Sequence, residues 1–249
     1  MIVSHNELVT AVYKAFLGLR RCCGEADVIA NMVADLQMVG LNGVSHFNTA
    51  VPFLANEEDS PVTLVKPTPD QIEVDMAGAS IACHLPSVID YAVEQMIETK
   101  SLTIHVSNCH NRWLAYSELV KLSAKGLACK AQWSNGSDAK KTLYVLNKGC
   151  VFPELYQHDE VTEGHVSEAY VNVHDMTIEL SVSNFALPSP SMQGYQQIDS
   201  ASLRKTYLNA WREGIEVDDA EWKKLKQAAT VFLVENSEAS AKGAGELVA

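Results

Sequence analysis

Three short segments carry cysteine and histidine side chains that could meet at one edge of a sheet. They are Cys83-His84, His105 and Cys109-His110. Thiolate and imidazole are the ligands that zinc prefers, and strand periodicity puts His105 and Ser107 on the same face. The spacing is irregular, however, so the alternative is that His84 caps a helix and His105 is an ordinary polar position. We therefore predict no metal site.

Two further groupings carry nucleophilic or acidic side chains. Cys109 and His110 are sequence neighbours on an extended strand, where successive side chains point to opposite faces, so a nucleophile and base pair is disfavoured. The segments His158-Asp159-Glu160 and Glu163-Gly164-His165 form an acidic loop with two histidines. Such a loop could bind a divalent cation, but a solvated charged loop is the ordinary interpretation.

A stretch near the N-terminus combines a helix end with a Ser-His pair. Its residues are Ala34-Asp35, Gly40, Ser45-His46 and Pro52. The stretch resembles the opening of the malate/L-lactate/sulfolactate dehydrogenase family, whose members have a small acidic motif, then Ser-His-Gly, then an Arg and a Pro. In that family the His gives and takes a proton at the substrate hydroxyl or carbonyl, a task suited to a group that titrates near neutral pH. The resemblance assigns that role to His46.

The middle third of the chain continues the resemblance. It carries Val74-Asp75, a helix over 85–100, a strand over 103–106, and then Asn108 with His110. These features are similar to a strand of the family and its Asn-x-Asn-His-Phe-Gly turn, and the resemblance extends to Trp133. If the chain is an oxidoreductase on this pattern, His110 joins His46 as a catalytic residue. Asn108 and His110 then line the nicotinamide or substrate, and Arg112 replaces the missing carboxylate clamp.

The chain departs from the family's pattern in four respects. Phe47 stands where the family has the Gly after its His, so a large ring replaces a position at which backbone could approach a ligand. Ala50 stands where the family has the Arg that would clamp a carboxylate. His110 comes one residue early, with Asn111 at the expected place. The later Gly-Thr-Asn-Pro cofactor segment has no counterpart.

Composition and charge exclude several classes of protein. Hydrophobic residues make up 47% and charged residues 20% of 249, which is typical of a globular chain with a core of its own. Nineteen basic and 31 acidic residues give a net charge of −12, so we expect neither nucleic acid nor a membrane as partner. The six cysteines lack C-x-x-C spacing, and no export signal precedes them, which predicts reduced, mostly buried thiols and a cytoplasmic location.

Helix signals open and close the chain. Ser4 and Glu7 predict a capping box, and Gly40 predicts the end of a second helix. Ser45 predicts the cap of a short third helix that Pro52 ends or kinks. Asp199 and Gly214 predict the two ends of a helix over 200–213, which a further helix over 220–232 follows.

Strand and helix signals alternate between these ends. Runs over 62–65, 72–74, 102–106, 127–133, 143–146, 169–173 and 178–182 predict strands. The fold class is therefore α/β, with a mixed β-sheet and helical layers formed by the N- and C-terminal helices. We expect a single domain over 1–249, divided into helical 1–56, α/β 62–183, helical 199–235 and a flexible tail 240–249.

The whole chain, including its ending Ser237-Glu238-Ala239-Ser240 and Gly243-Ala244-Gly245, resembles a family of uncharacterised bacterial proteins of similar length. Two hypotheses for function follow. The first is a small-molecule-binding or regulatory protein, without cofactor, on a dehydrogenase-like scaffold that has lost its clamp. The alternative is an NAD(P)-dependent oxidoreductase of a small hydroxy or keto acid with His46 as acid/base. A homodimer is expected in either case.

Overall fold

The computed structural model describes residues 1–56, 62–134, 140–159, 174–188 and 195–230. In these ranges the fold is mixed α/β, as predicted. The helices are α1 (His5–Gly18), α2 (Cys23–Met38), α3 (Gly43–Asn56), α4 (Ile81–Thr99), α5 (Tyr116–Ala124), α6 (Ser200–Glu213) and α7 (Asp219–Thr230). The strands are β1 (Ile2–Val3), β2 (Thr63–Thr68), β3 (Gln71–Asp75), β4 (Ser101–Ser107), β5 (Ala128–Ser134), β6 (Lys140–Leu146), β7 (Glu154–Asp159), β8 (Met176–Ser181), β9 (Tyr195–Ile198) and β10 (Ile215–Glu216). A 3₁₀ turn (Arg112–Ala115) precedes α5.

Some predicted features lie outside the described residues. They are the strand over 169–173, most of the acidic loop over 158–165, the end of the last helix beyond 230, and the tail over 240–249.

The predicted helix caps at both ends of the chain are confirmed. The Ser4 hydroxyl accepts a hydrogen bond from Glu7 N, and the Glu7 carboxylate accepts one from Ser4 N. Asp199 caps α6 by accepting from Ser202 N, and the helix ends at Gly214. These caps satisfy backbone donors that a helix start leaves without partners.

The predicted start of the third helix at Ser45 is wrong, because α3 begins at Gly43. Its first turn lies so close to α2 that a Cβ on Gly43 would come within 2.1 Å of the Val33 carbonyl oxygen. The cap comes from the neighbouring helix, since Gln37 Oε1 accepts a hydrogen bond from Val44 N at 3.0 Å. A cap supplied by another helix leaves no local sequence signal.

Eight described strands form one mixed sheet in the order β2-β3-β4-β8-β5-β6-β7-β9. Helix α4 connects β3 to β4, and these two strands pair in parallel with Val74 opposite Val106. Strand β8 lies antiparallel between β4 and β5 and alternates buried with partly exposed residues, as predicted. Strands β7 and β9 have no counterpart in the predicted set, because both are short and rich in polar residues.

The N- and C-terminal helices pack together in one layer, as predicted. Helix α1 contacts both α2 and α7, and β1 pairs with β10. The N-terminal amine donates to the Asp219 carboxylate at 2.6 Å. The two ends of the described chain are therefore joined by helix packing, strand pairing and an exposed ion pair.

The cysteines differ from the prediction that most are buried. Only Cys109 and Cys129 are buried, whereas Cys22, Cys23 and Cys150 are exposed. The exposed three lie at the start of α2 and in a surface turn, where no element covers them. No helix in the described ranges combines the length and apolar composition needed to cross a bilayer.

Candidate functional site

The carboxyl ends of β3 and β4 bring Asp75 and Asn108 together. Asn108 Nδ2 donates to Asp75 Oδ1 at 3.0 Å, and Ala77 N donates to the same oxygen at 2.8 Å. The bond from Asn108, followed in strength by the bond from Ala77, holds the pKa of Asp75 below its ordinary value. Ligands of α/β proteins commonly bind outside the carboxyl ends of parallel strands, so this edge is the first place to seek a site.

His110 follows this edge and links it to the start of α4. Its N–H donates to the Ala79 carbonyl, and its own carbonyl accepts from Ile81 N, both at 3.0 Å. Its ring stacks on Phe53 of α3 with centroids 4.1 Å apart and lies 4.6 Å from the His174 ring. Burial, followed by the His174 and Arg112 charges, lowers the pKa of His110.

His46 lies on the same helix as Phe53 but meets a different ring. Its imidazole stacks on Trp113 with centroids 5.6 Å apart, and Trp113 meets Trp133 edge-on at 5.2 Å. Burial lowers the pKa of His46 to about 4. The imidazole is therefore neutral at physiological pH.

The two predicted histidines lie along one contact between α3 and the 110–113 segment. We call the set His46, Phe53, His110 and Trp113 the histidine seam. His46 and Phe53 are seven residues apart on α3, which is two helical turns or about 10 Å of axis. The structure thus brings both histidines to one seam and gives each its own aromatic partner.

Arg112 uses its guanidinium inside the protein. Nη1 donates to the Cys109 carbonyl at 2.6 Å, and Nη2 donates to the Ser134 carbonyl at 2.8 Å. Its Nε, together with Asn111 Oδ1 and Ser134 Oγ, is buried without a hydrogen-bond partner among the described residues. The side chain therefore joins the turn after β4 to the end of β5.

The two departures from the dehydrogenase pattern on α3 both lie in the hydrophobic core. Phe47 and Ala50 are fully buried in the core cluster. Because they lie three residues apart on a helix, they share its inward face. A guanidinium at position 50 would have to enter that core.

The cysteine and histidine side chains do not converge on a metal-binding geometry in the described ranges. In the ranges that the structure describes, no group of three or more His, Cys, Asp or Glu side chains is placed to hold a metal ion. The Cys109 hydrogen bonds instead join it to the backbone, since both its N–H and its thiol donate to the His174 carbonyl. Burial raises the pKa of the Cys109 thiol to about 11, which keeps it protonated and a poor nucleophile.

Sequence reasoning missed a cavity of about 310 Å³ between α2, α5 and α6, lined in part by Asp35, Tyr116 and Arg204. Asp35 carried a signal, since it belongs to the acidic motif at the end of α2. Arg204 carried none, because only the fold brings α6 next to α2.

A family described as "Protein of unknown function (DUF3726)" matches residues 3–87, which run from β1 into α4 and include His46. No protein of curated function matches the chain by sequence.

Solved structures match over nearly the whole chain. A malate dehydrogenase from Pyrococcus horikoshii OT3 aligns with a TM-score of 0.70 at 10% identity, covering 95% of this chain and 97% of the other. A sulfolactate dehydrogenase from Methanocaldococcus jannaschii aligns with a TM-score of 0.65 at 10% identity, covering 93% of this chain and 97% of the other. A delta1-piperideine-2-carboxylate reductase from Pseudomonas syringae pvar. tomato aligns with a TM-score of 0.62 at 10% identity, covering 92% of this chain and 99% of the other.

The chain has a dehydrogenase-like fold. The resemblance seen in the sequence is confirmed at that level, because the matched structures include malate and sulfolactate dehydrogenases. At 10% identity the similarity establishes the dehydrogenase-like fold alone. The names of the three matched enzymes differ in substrate, so function must come from the residues of this chain.

Proposed function

We propose that the protein is a small-molecule-binding or regulatory protein that does not carry out the hydride transfer of the enzymes sharing its fold. The observation that carries this proposal is the burial of Phe47 and Ala50 in the core. By resemblance these are the positions of the glycine beside the family's histidine and of the arginine that clamps the acid. Neither position is accessible to a ligand.

The residues expected to contact nicotinamide support the same proposal. The Asn108 amide donates to Asp75, and both terminal nitrogens of Arg112 donate to backbone carbonyls. A ligand carboxylate at Arg112 would have to displace two partly buried bonds, and a nicotinamide amide at Asn108 would compete with the exposed bond to Asp75. We therefore expect no nicotinamide cofactor.

Cofactor titration tests the proposal directly. A ligand at about 100 times its Kd stabilises a protein by about 2.7 kcal/mol, which thermal unfolding detects easily. We expect neither NADH nor NADPH to raise the Tm, and we expect no change in NAD(P)H absorbance with malate, lactate or sulfolactate. A clear thermal shift with either cofactor, or turnover with any of these acids, would refute the proposal.

The alternative is an NAD(P)-dependent oxidoreductase of a small hydroxy or keto acid with His46 as acid/base. One observation favours it, namely that His46 and His110 both lie along the histidine seam. If turnover were found, His46→Gln should abolish it, since the carboxamide cannot exchange a proton near neutral pH. His105 lies exposed on β4, so His105→Gln is the matched control and should keep the activity.

Assembly as a homodimer in the cytoplasm is part of the same proposal. Twofold association is the commonest state of soluble oligomers. Light scattering coupled to size exclusion should give twice the mass of one chain, and a single-chain mass would refute the dimer.

A further inference from the structure

The cavity between α2, α5 and α6 is separate from the histidine seam, none of whose four residues lines it. Its volume of about 310 Å³ is near the lower end of the range of about 300–1,000 Å³ for small-molecule sites. Val120, Phe152 and Leu208 provide apolar walls, and Asp35 and Arg204 are the charged residues that line it. A mainly apolar cavity with two convergent charges is the usual form of a ligand site.

Asp35 presents a carboxylate oxygen, Oδ1, to which no residue in the described ranges donates. The Ser117 hydroxyl donates to its Oδ2. The side chain is partly buried at the end of α2. Its negative charge also acts on a neighbouring phenol, because burial and then the Asp35 carboxylate raise the pKa of Tyr116 above its ordinary value.

Arg204 also lines the cavity and brings a positive charge to it. It lies on α6, is exposed, and makes no ion pair or hydrogen bond with any residue in the described ranges. No ion pair joins it to Asp35, although both side chains line the cavity. The cavity lining therefore carries one negative and one positive side chain that are not paired with each other.

The surface outside the cavity favours an anionic group at its mouth. A larger groove of about 840 Å³ adjoins the cavity, shares Arg204 and Leu208 with it, and adds Lys205 and Arg212. No acidic residue lines this groove among the described residues. The described lining of this groove therefore carries three basic side chains in a chain whose net charge is −12.

We infer that the cavity binds a small zwitterion with an apolar body, of which an α-amino acid with an apolar side chain is the simplest, an assignment that rests on the proposed function. The ammonium group contacts Asp35 Oδ1, the carboxylate contacts Arg204, and the side chain packs among Val120, Phe152 and Leu208. A ligand that is only anionic would face the Asp35 carboxylate, and one that is only cationic would face Arg204. A zwitterion complements both charges.

Calorimetric titration of the full chain with matched probes tests the need for both charges. L-phenylalanine and L-leucine are the zwitterions, phenethylamine keeps only the ammonium group, and 3-phenylpropionate keeps only the carboxylate. We expect at least one amino acid to bind, and each singly charged probe to bind at least tenfold more weakly than L-phenylalanine. No binding of either amino acid, or equal affinity for all the phenyl probes, would overturn the assignment.

Three variants assign the contacts. Asp35→Asn should weaken the binding of L-phenylalanine and of phenethylamine at least tenfold, and it should not weaken the binding of 3-phenylpropionate. Arg204→Gln should weaken the binding of L-phenylalanine and of 3-phenylpropionate, and it should not weaken the binding of phenethylamine. Arg212→Gln is the matched control, because Arg212 lies on the same helix and lines only the outer groove.

The outcomes separate this assignment from the proposed function. If the Asp35→Asn variant does not fold, the Arg204→Gln variant still tests the assignment, because position 204 is exposed. Unchanged affinity of that variant for L-phenylalanine would overturn the assignment. Dinucleotide-dependent turnover would refute the proposed function whatever the titration gives. A failed titration without turnover would refute the zwitterion site alone.

Discussion

The imidazole of His46 stacks on the indole of Trp113, with ring centroids 5.6 Å apart and planes inclined by 26°. Trp133 closes the far side by meeting Trp113 edge-on. Protonation would put a charge where the rings have replaced water, so the neutral form is favoured and the pKa of His46 falls to about 4. The contact therefore makes folding stability depend on pH.

The first prediction concerns that dependence. Between about pH 6.5 and pH 4 the unfolded chain protonates His46 while the folded chain does not, so stability falls as the pH falls through this window. The loss should reach about 2 kcal/mol at pH 4.5. Replacing the histidine, in His46→Gln, should remove that part of the loss. Urea unfolding at pH 7 and pH 4.5 measures it.

Thr49→Val, a change at an exposed and uncharged position of the same helix, is the control for His46→Gln. It should show the full pH dependence of the parent protein. Identical pH profiles for the parent protein and His46→Gln would show that the imidazole titrates as it does in the unfolded chain.

The second prediction concerns position 50. Restoring the dehydrogenase arginine, in Ala50→Arg, should destabilise the protein by roughly 3–5 kcal/mol, because the new charge is buried without a partner. Thr49→Arg adds the same side chain one residue away on the exposed surface and should change stability by less than about 0.5 kcal/mol. Chemical denaturation compares the two. If Ala50→Arg folds with parental stability, position 50 can open to a ligand and the proposed function loses its main support.

The third prediction concerns the contact of α2 with α3. A Cβ in Gly43→Ala would lie 2.1 Å from the Val33 carbonyl oxygen, so the helices must separate, at a cost of about 3 kcal/mol or more. Gly24→Ala is the control, since nothing lies within 4 Å of a Cβ there and alanine favours the helix. That variant should be unchanged or more stable by up to about 1 kcal/mol. Equal denaturation midpoints for the two variants would contradict the close packing of α2 on α3.

The fourth prediction concerns Arg112. Removing its guanidinium, in Arg112→Met, should destabilise the protein by about 2–4 kcal/mol, because two carbonyls lose charged donors. Arg112→Lys should fall between the parent and this variant, since an ammonium group cannot reproduce the fork. Arg212→Met, at an exposed position of α6, is the control and should change little. If Arg112→Met unfolds at the parental temperature, the guanidinium is free for a ligand carboxylate.

Local signals predicted much of the fold because their physical causes are local. The Ser4 and Glu7 capping box and the Asp199 cap involve residues three apart, and both form as expected. The apolar alternation of β8 likewise follows from its half-buried position. The start of α3 was missed because its cap is Gln37, a side chain of another helix.

The candidate site divides in the same way. Residue type and resemblance were enough to select His46, Asn108, His110 and Arg112. Their partners come from distant elements: Trp113 for His46 and Phe53 for His110. Arg112 looked free as a carboxylate clamp because the sequence cannot reveal that the end of β5 supplies a carbonyl to it.

The amino-acid sequence by itself determined the α/β fold class, because the alternation of strand and helix signals, the helix caps and the apolar periods depend on neighbouring residues. Only the tertiary structure decided that Phe47 and Ala50 face the core, and that Asp35 and Arg204 share a cavity across 169 positions of chain. Those facts depend on which helix packs on which, and packing is set by the whole core at once.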